Sequence, residues 1–149
     1  RLVRFASEDV GMADSGALQV AINVYQACHF LGMPECDVHL AHAVVYLSMT
    51  PKSNALYRAG LPCKKDIDEM PAQPVPLHIC NAPTKLMKEL DYGKGYLYAH
   101  DTEEKITRME CLPEALKGRR YYRPTEQGRE RAVKERLTQI LEWKENKEK

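Results

Sequence analysis

Apolar residues recur at the i, i+3, i+4, i+7 spacing of a helix face over most of this chain, and no stretch sustains the two-residue alternation of a strand. Leu2, Val3, Phe5 and Ala6 read as the last turns of a first helix, ended by Gly11. Asp14 is a suitable N-cap for a second, with Leu18, Ala21, Ile22, Tyr25, Cys28 and His29 along one face and Gly32 at its close. Pro34 opens a third helix that runs to Met49. Val38, Ala41, Val45 and Ser48 line one of its sides, and Leu40, Val44 and Leu47 the adjacent one, so it is apolar on more than one side. A fourth, capped by Ser53 or Thr50, passes through Ala55, Leu56 and Tyr57 and is expected to be cut short by Gly60 and Pro62. From Lys64 to Pro76 the chain turns charged, then proline-rich, which predicts an extended, semi-rigid connector across the surface. The last predicted helix runs from Thr125 to about Lys144 with a seam of Val133, Leu137, Ile140, Leu141 and Lys144, too short for a coiled coil and so expected to dock on its own domain. The fold class is all-α: a compact multi-helix domain with a Pro-rich connector.

Between connector and last helix, Pro76 to His100 forms a punctuated corner. Pro83 suits the first turn of a short helix, Asn81 and Thr84 offer capping oxygens, and Leu86, Met87 and Leu90 give two turns of apolar stripe after Lys85. Gly93 and Gly95, with Lys94 between them, are placed to take the positive φ that reverses a chain. Gly93-Lys94-Gly95 has the flavour of a phosphate loop, but it follows a helix, whereas such a loop must lead into one for its N–H groups to point at the anion. After an acidic loop, Leu112 to Leu116 predicts a single helical turn ending at Gly118.

The 149 residues suffice for one domain with its own core. They are 44% hydrophobic and 29% charged, with a mean hydropathy of −0.52. No apolar run approaches the ~20 residues of a membrane span, and five cysteines without a C-x-x-C pair predict reduced thiols in a cytoplasmic protein. The start at Arg1, without Met, suggests part of a longer protein. The net charge of +1 conceals a division: residues 1–116 carry 11 Lys/Arg against 15 Asp/Glu, and residues 117–149 carry 11 against 6. Only the second segment offers an anionic partner an electrostatic footprint.

The chain carries no nucleotide-binding, zinc-protease or hydrolase motif. Cys36, His39 and His42 lie three apart on the third helix, a donor set that suits zinc. Each step of three drifts about 60° round the helix, so the outer two do not converge and two satisfied histidines are the simpler reading. A stand-alone metal hydrolase would rest on that stripe alone. Asp66, Asp68 and Glu69, beside Lys64 and Lys65, read as a solvated charged face. No catalytic, cofactor or metal residue is assigned.

Six ordered segments carry a family resemblance: R-F-A-S-E-D-V-G-M-A-D (4–14), L-G-M-P-E (31–35), A-V-V-Y-L (43–47), P-K-S-N-A (51–55), the run from Pro74 to Tyr96, and L-P-E-A-L-K-G-R-R-Y-Y-R-P-T-E-Q-G (112–128). The chain resembles the C-terminal region of the replication-associated recombination protein A family, AAA+ ATPases also called maintenance-of-genome-stability protein A and similar to Werner-helicase-interacting protein. Gly60-Leu61-Pro62-Cys63 departs from the pattern, where the family more often continues a helix. The resemblance implies a single C-terminal oligomerisation domain over 1–149, similar to clamp-loader collars. Residues 1–13, with Ser7-Glu8-Asp9, would form the junction with a missing lid, and 14–149 the helical domain. ATP, magnesium and the arginine finger would belong to the absent ATPase core. Implied partners are that core, further copies in a homotetramer, DNA, and the single-stranded DNA-binding protein, in a cytoplasmic, nucleoid-associated setting.

Two functional expectations follow. A helix apolar nearly all round must be buried by something, so the third helix and its neighbour present Leu18, Ile22, Tyr25, Leu40, Val44 and Leu47 as a candidate interface; two self-complementary patches would pair off into a tetramer. The alternative is a nucleic-acid-binding module in the basic segment 117–149, where Arg119, Arg120, Tyr121, Tyr122 and Arg123 interleave cations with stacking rings.

Overall fold

A computed structural model describes residues 1–146, and among them every regular element is helical. The chain divides into two compact units: Arg1–Lys65 together with the chain from Tyr121 onward, and Asp66–Arg120.

The first unit opens with α1 (Leu2–Phe5), which continues as a π turn over Ala6–Val10 and a 3-10 turn over Gly11–Ala13. Gly11 breaks the helical path at φ 54°, where a Cβ would stand 2.8 Å from the Ser53 carbonyl oxygen. Asp14 then starts α2 (Gly16–Leu31) by accepting the Gly16 N–H at 2.9 Å. Gly32, at φ 75°, ends α2 with its N–H on the Cys28 carbonyl.

The third helix, α3, spans Asp37–Met49 and begins three residues after the expected Pro34. Residues 33–36 instead close a turn, with Cys36 N–H on Gly32 O (3.0 Å) and Asp37 N–H on Pro34 O (3.1 Å). Asp37 sets a carboxylate in the first turn, where the helix dipole favours one. At the far end Lys52 Nζ donates to the carbonyls of Leu47, Ser48 and Thr50, lying 5.9 Å from the Phe5 ring centre.

Ser53 does cap α4 (Ala55–Glu69), accepting the Ala55 N–H at 3.3 Å. The expected interruption at Gly60 and Pro62 does not occur: α4 runs straight through both. Leu61 and Pro62 are exposed, so water can serve the carbonyl that Pro62 leaves without an N–H, and the loss is tolerated. The expected connector over Lys64–Pro76 is correspondingly shortened, because its first half, through Glu69, is helix and extended chain begins only after Met70.

The core is made of small residues. Ala6, Val10, Ala17, Ala21 and Leu47 form the buried cluster, with Leu2, Phe5 and Tyr46 packed against it. Alanines along α2 let the π turn and α3 approach closely, and Tyr46 turns its hydroxyl onto Asp14 at 2.7 Å. The final helix, α6, spans Glu130–Glu145 instead of starting at Thr125. Gly128 explains the late start: it sits at φ 52°, and a Cβ there would collide with the Ala13 carbonyl.

The second unit has no buried residue from Asp66 to Arg120. It is built from a 3-10 turn (Leu77–Ile79), α5 (Lys85–Glu89), and two further 3-10 turns, Ala99–Asp101 and Glu114–Leu116. Its order comes from exposed hydrogen bonds and ion pairs, some local and some joining distant turns, such as Gly93 N–H to Leu77 O at 2.8 Å and His78 Nε2 with the Glu110 carbonyl at 2.7 Å.

Candidate functional site

The α2–α3 pair leaves many large apolar side chains uncovered. Tyr25, Phe30 and Leu31 on α2, Met33 in the turn, and Val38, Leu40, Val44, Val45 and Met49 on α3 are all exposed, Phe30 and Met49 at 81%. Scattered single apolar residues are ordinary on a surface, but nine on one helical hairpin are not. The candidate interface divides on this evidence. Leu18, Tyr25, Leu40 and Val44 are exposed, Ile22 is half-buried, and Leu47, at 2% exposure, belongs to the core and is removed from the interface set. Leu47 points inward because it sits on the side of α3 that carries Ala43, facing the alanines of α2. Sequence reasoning paired Leu47 with Leu40 and Val44 but passed over Phe30, Leu31, Met33 and Met49, whose signal was a run of large apolar residues continuing past the buried face into the helix ends.

The corner behaves largely as its sequence predicts. Thr84 caps α5 with its hydroxyl accepting the Met87 N–H at 3.2 Å. Pro83 therefore precedes the cap instead of occupying the first turn, and Asn81 lies exposed two residues further back. Lys85 reaches Glu89 at 3.8 Å, and Lys94 binds the Asp91 carboxylate at 2.9 Å. Gly93 and Gly95 take φ 72° and 82°. Lys94 is thus paired with a neighbour three residues away.

The aromatic-basic run is dispersed by its partners. Arg119 Nε pairs with Asp66 at 3.3 Å, which also takes Asp66 out of the solvated face expected of it, since its side chain is only 12% exposed. Tyr122 donates its hydroxyl to Glu130 at 2.6 Å, so it is a structural residue and not an open stacking platform. Tyr121 is half-buried and engaged, Arg120 is exposed and also engaged, and Arg123 is exposed. Two more basic residues of the segment, Lys147 and Lys149, lie outside the described residues.

Glu130 is the residue that sequence reading missed. It is fully buried, yet its carboxylate is held by Tyr122, by Thr125 Oγ1, and by the Ser53 hydroxyl. Burial pushes its pKa up, but the hydrogen bonds from Ser53, Thr125 and Tyr122 outweigh burial and leave the pKa below the usual carboxylate value. Burial and the Glu130 contact push Tyr122 strongly up in turn. The available signal was Gly128: a glycine inside an assumed helix moves the helix start to residue 130 and takes Glu130 from a solvated face to a first turn. Asp14 is a second such node. Tyr46 above all, then the Gly16 N–H and Thr50, hold its carboxyl below the usual range against the cost of burial.

Among the described residues no three His, Cys, Asp or Glu side chains converge on a metal-sized point. Cys36 is buried with its thiol toward Met33 Sδ (3.3 Å), His39 is half-buried and His42 exposed, so the 36/39/42 stripe points in different directions. No described helix is long and apolar enough to cross a membrane.

Compared with known proteins, residues 1–141 match the family described as MgsA AAA+ ATPase C terminal. The replication-associated recombination protein A of Coxiella burnetii is 46% identical over 92% of this chain and 31% of the relative. That of Escherichia coli K12 is 43% identical over 98% of the chain and 33% of the relative. ATPase WRNIP1 of Dictyostelium discoideum is 42% identical over 82% of the chain and 14% of the relative. The chain thus spans about a third of the length of the bacterial relatives.

Proposed function

We propose, because this chain belongs to the MgsA AAA+ ATPase C-terminal family, that it is the self-association module of an ATPase acting in replication-associated recombination. The observation that carries the reading is the uncovered α2–α3 surface, whose large apolar side chains gain most from being buried by a second copy. An obligate contact of this kind covers ~2,000 Å² or more and persists at micromolar protein. Two self-complementary patches on the hairpin give a homotetramer of paired dimers. The module itself carries out no catalysis; ATP and magnesium are handled by an ATPase part elsewhere in the parent, which engages DNA and the single-stranded DNA-binding protein at replication forks in the cytoplasm and nucleoid. Val45→Glu combined with Met49→Glu places two charges, one turn apart, on the exposed side of α3. Sedimentation should then show the wild-type chain as a tetramer at micromolar concentration and the variant as a folded dimer held by the second patch. A monomeric wild type would remove the reading. The nucleic-acid alternative is less favoured, because Arg119 and Tyr122 are already committed to Asp66 and Glu130.

A further inference from the structure

We infer that the turn joining α2 to α3 is a site for a soft monovalent metal ion, copper(I) by preference, held by the sulfurs of Cys28, Met33 and Cys36. The backbone brings the three together. The Gly32 N–H donates to the Cys28 carbonyl at 3.0 Å and the Cys36 N–H to the Gly32 carbonyl at 3.0 Å, so the chain turns twice between the two cysteines. The Cys28 thiol then lies 3.9 Å from the Cys36 carbonyl oxygen, and the Cys36 thiol donates to Met33 Sδ at 3.3 Å. The two thiols are also hydrogen-bonding neighbours: burial first, and then the Cys36 thiol, push the Cys28 pKa up.

What such a set can hold follows from its donors. Two thiols and a thioether are soft and polarisable, a combination that selects copper(I) over harder cations. Zinc in a closed site takes four ligands drawn from thiolate, imidazole and carboxylate, and among the described residues no His, Cys, Asp or Glu joins Cys28 and Cys36 as a third. Three sulfurs around a metal at ~2.3 Å stand ~4 Å apart. The Cys36–Met33 pair at 3.3 Å therefore has to open by less than about 1 Å. Binding exchanges protons for metal: the S–H bonds of Cys28 and Cys36 break, both protons pass to solvent, two thiolate–copper bonds and one thioether–copper bond form, and no electron is transferred. Exposure ranks the three sulfurs from outside inward, with Met33 71% exposed, Cys28 half-buried and Cys36 3% exposed. The neutral thioether is thus the entrance and the buried thiol the anchor. Cys80 and Cys111 turn to backbone carbonyls instead, Cys80 to those of Val75 and Pro76 and Cys111 to that of Met109. The ion ties the end of α2 to the approach to α3, and its binding does not depend on self-association.

Anaerobic titration of the full chain with copper(I), in competition with bathocuproine disulfonate, tests this. The wild type should retain one copper(I) per chain, and X-ray absorption should show three sulfur neighbours at ~2.3 Å. A variant combining Cys63→Ser, Cys80→Ser and Cys111→Ser should bind as tightly, whereas Cys28→Ser or Cys36→Ser should weaken binding by at least about 100-fold. Met33→Leu keeps the exposed position apolar and should weaken binding by about 10-fold, leaving two sulfur neighbours. Undiminished binding in Cys28→Ser, loss of binding in the triple variant, or an unaltered sulfur count in Met33→Leu overturns the inference. Should the buried substitution Cys36→Ser fail to fold, Cys28→Ser and Met33→Leu, both at positions that water reaches, decide the matter by the same criteria.

Discussion

The two units of this chain are ordered by different physics. In Arg1–Lys65 with the chain from Tyr121, segments distant in sequence meet at buried points: Asp14 with Tyr46 and Thr50, and Ser53 with Thr125 and Glu130. In Asp66–Arg120 nothing is buried, and the shape is held by a helix cap, tight turns with positive φ at Asp91, Gly93, Gly95 and Lys105, and a few exposed links such as His78 to Glu110. The first kind of order is cooperative, since removing one partner strands several others without water. The second is looser, because its turns and the few links between them, such as Gly93 to Leu77 and Arg119 to Asp66, all stand where water can replace a lost partner. Substitutions should therefore separate by unit, with large effects where buried partners converge and small, local ones where water can replace a partner.

The largest effect is expected at Gly128. Gly128→Ala forces a Cβ into the Ala13 carbonyl at a left-handed backbone position, and should destabilise the chain by on the order of 3 kcal/mol. Chemical denaturation measures it, and a midpoint like the wild type's would mean that the 121–130 segment is not held as described.

Acid should act on the same unit. The carboxyls of Glu130 and Asp14 both titrate below their usual values when folded. Their contribution is therefore complete above the unfolded carboxylate pKa of about 4 and disappears as pH falls through the lowered folded values. Stability should be level from neutral pH to about 5 and decline steeply below about 4. Glu130→Gln and Asp14→Asn should each make that decline shallower while costing stability at neutral pH. Thermal melts across the acid range would show an unaltered slope if either carboxylate were not held as described.

In the second unit the contrast narrows to two glycines. Gly93→Ala meets both a positive φ and the Cys80 carbonyl oxygen at 3.3 Å, whereas Gly95→Ala meets the φ with open space around it. Each should cost about 1–2 kcal/mol of local stability, Gly93 the more, with the melt of the first unit unaffected. Proteolysis near residues 90–97 reads the local loosening. If either substitution lowered the melting of α2 and α3, the description of this unit as the looser one would fail.

The sequence by itself determined the helix count of the hairpin, the positive φ at Gly93 and Gly95, and the family, and it narrowed the caps to Asn81 or Thr84 and to Ser53 or Thr50. These are local matters: a cap needs an oxygen two or three residues away, a reversal needs a glycine, and a motif needs only its own letters. It also showed that α3 is apolar on two sides. Tertiary structure decided which row was core, because Leu47 and Leu40 are the same chemistry and only the position of the α2 alanines distinguishes them. It decided that α4 continues through Pro62, since the cost of a missing hydrogen bond depends on whether water reaches the orphaned carbonyl. And it decided the roles of Glu130, Tyr122 and Arg119: a lone carboxylate, phenol or guanidinium reads as surface until the fold brings it a partner, Ser53 and Tyr122 for Glu130 and Asp66 for Arg119.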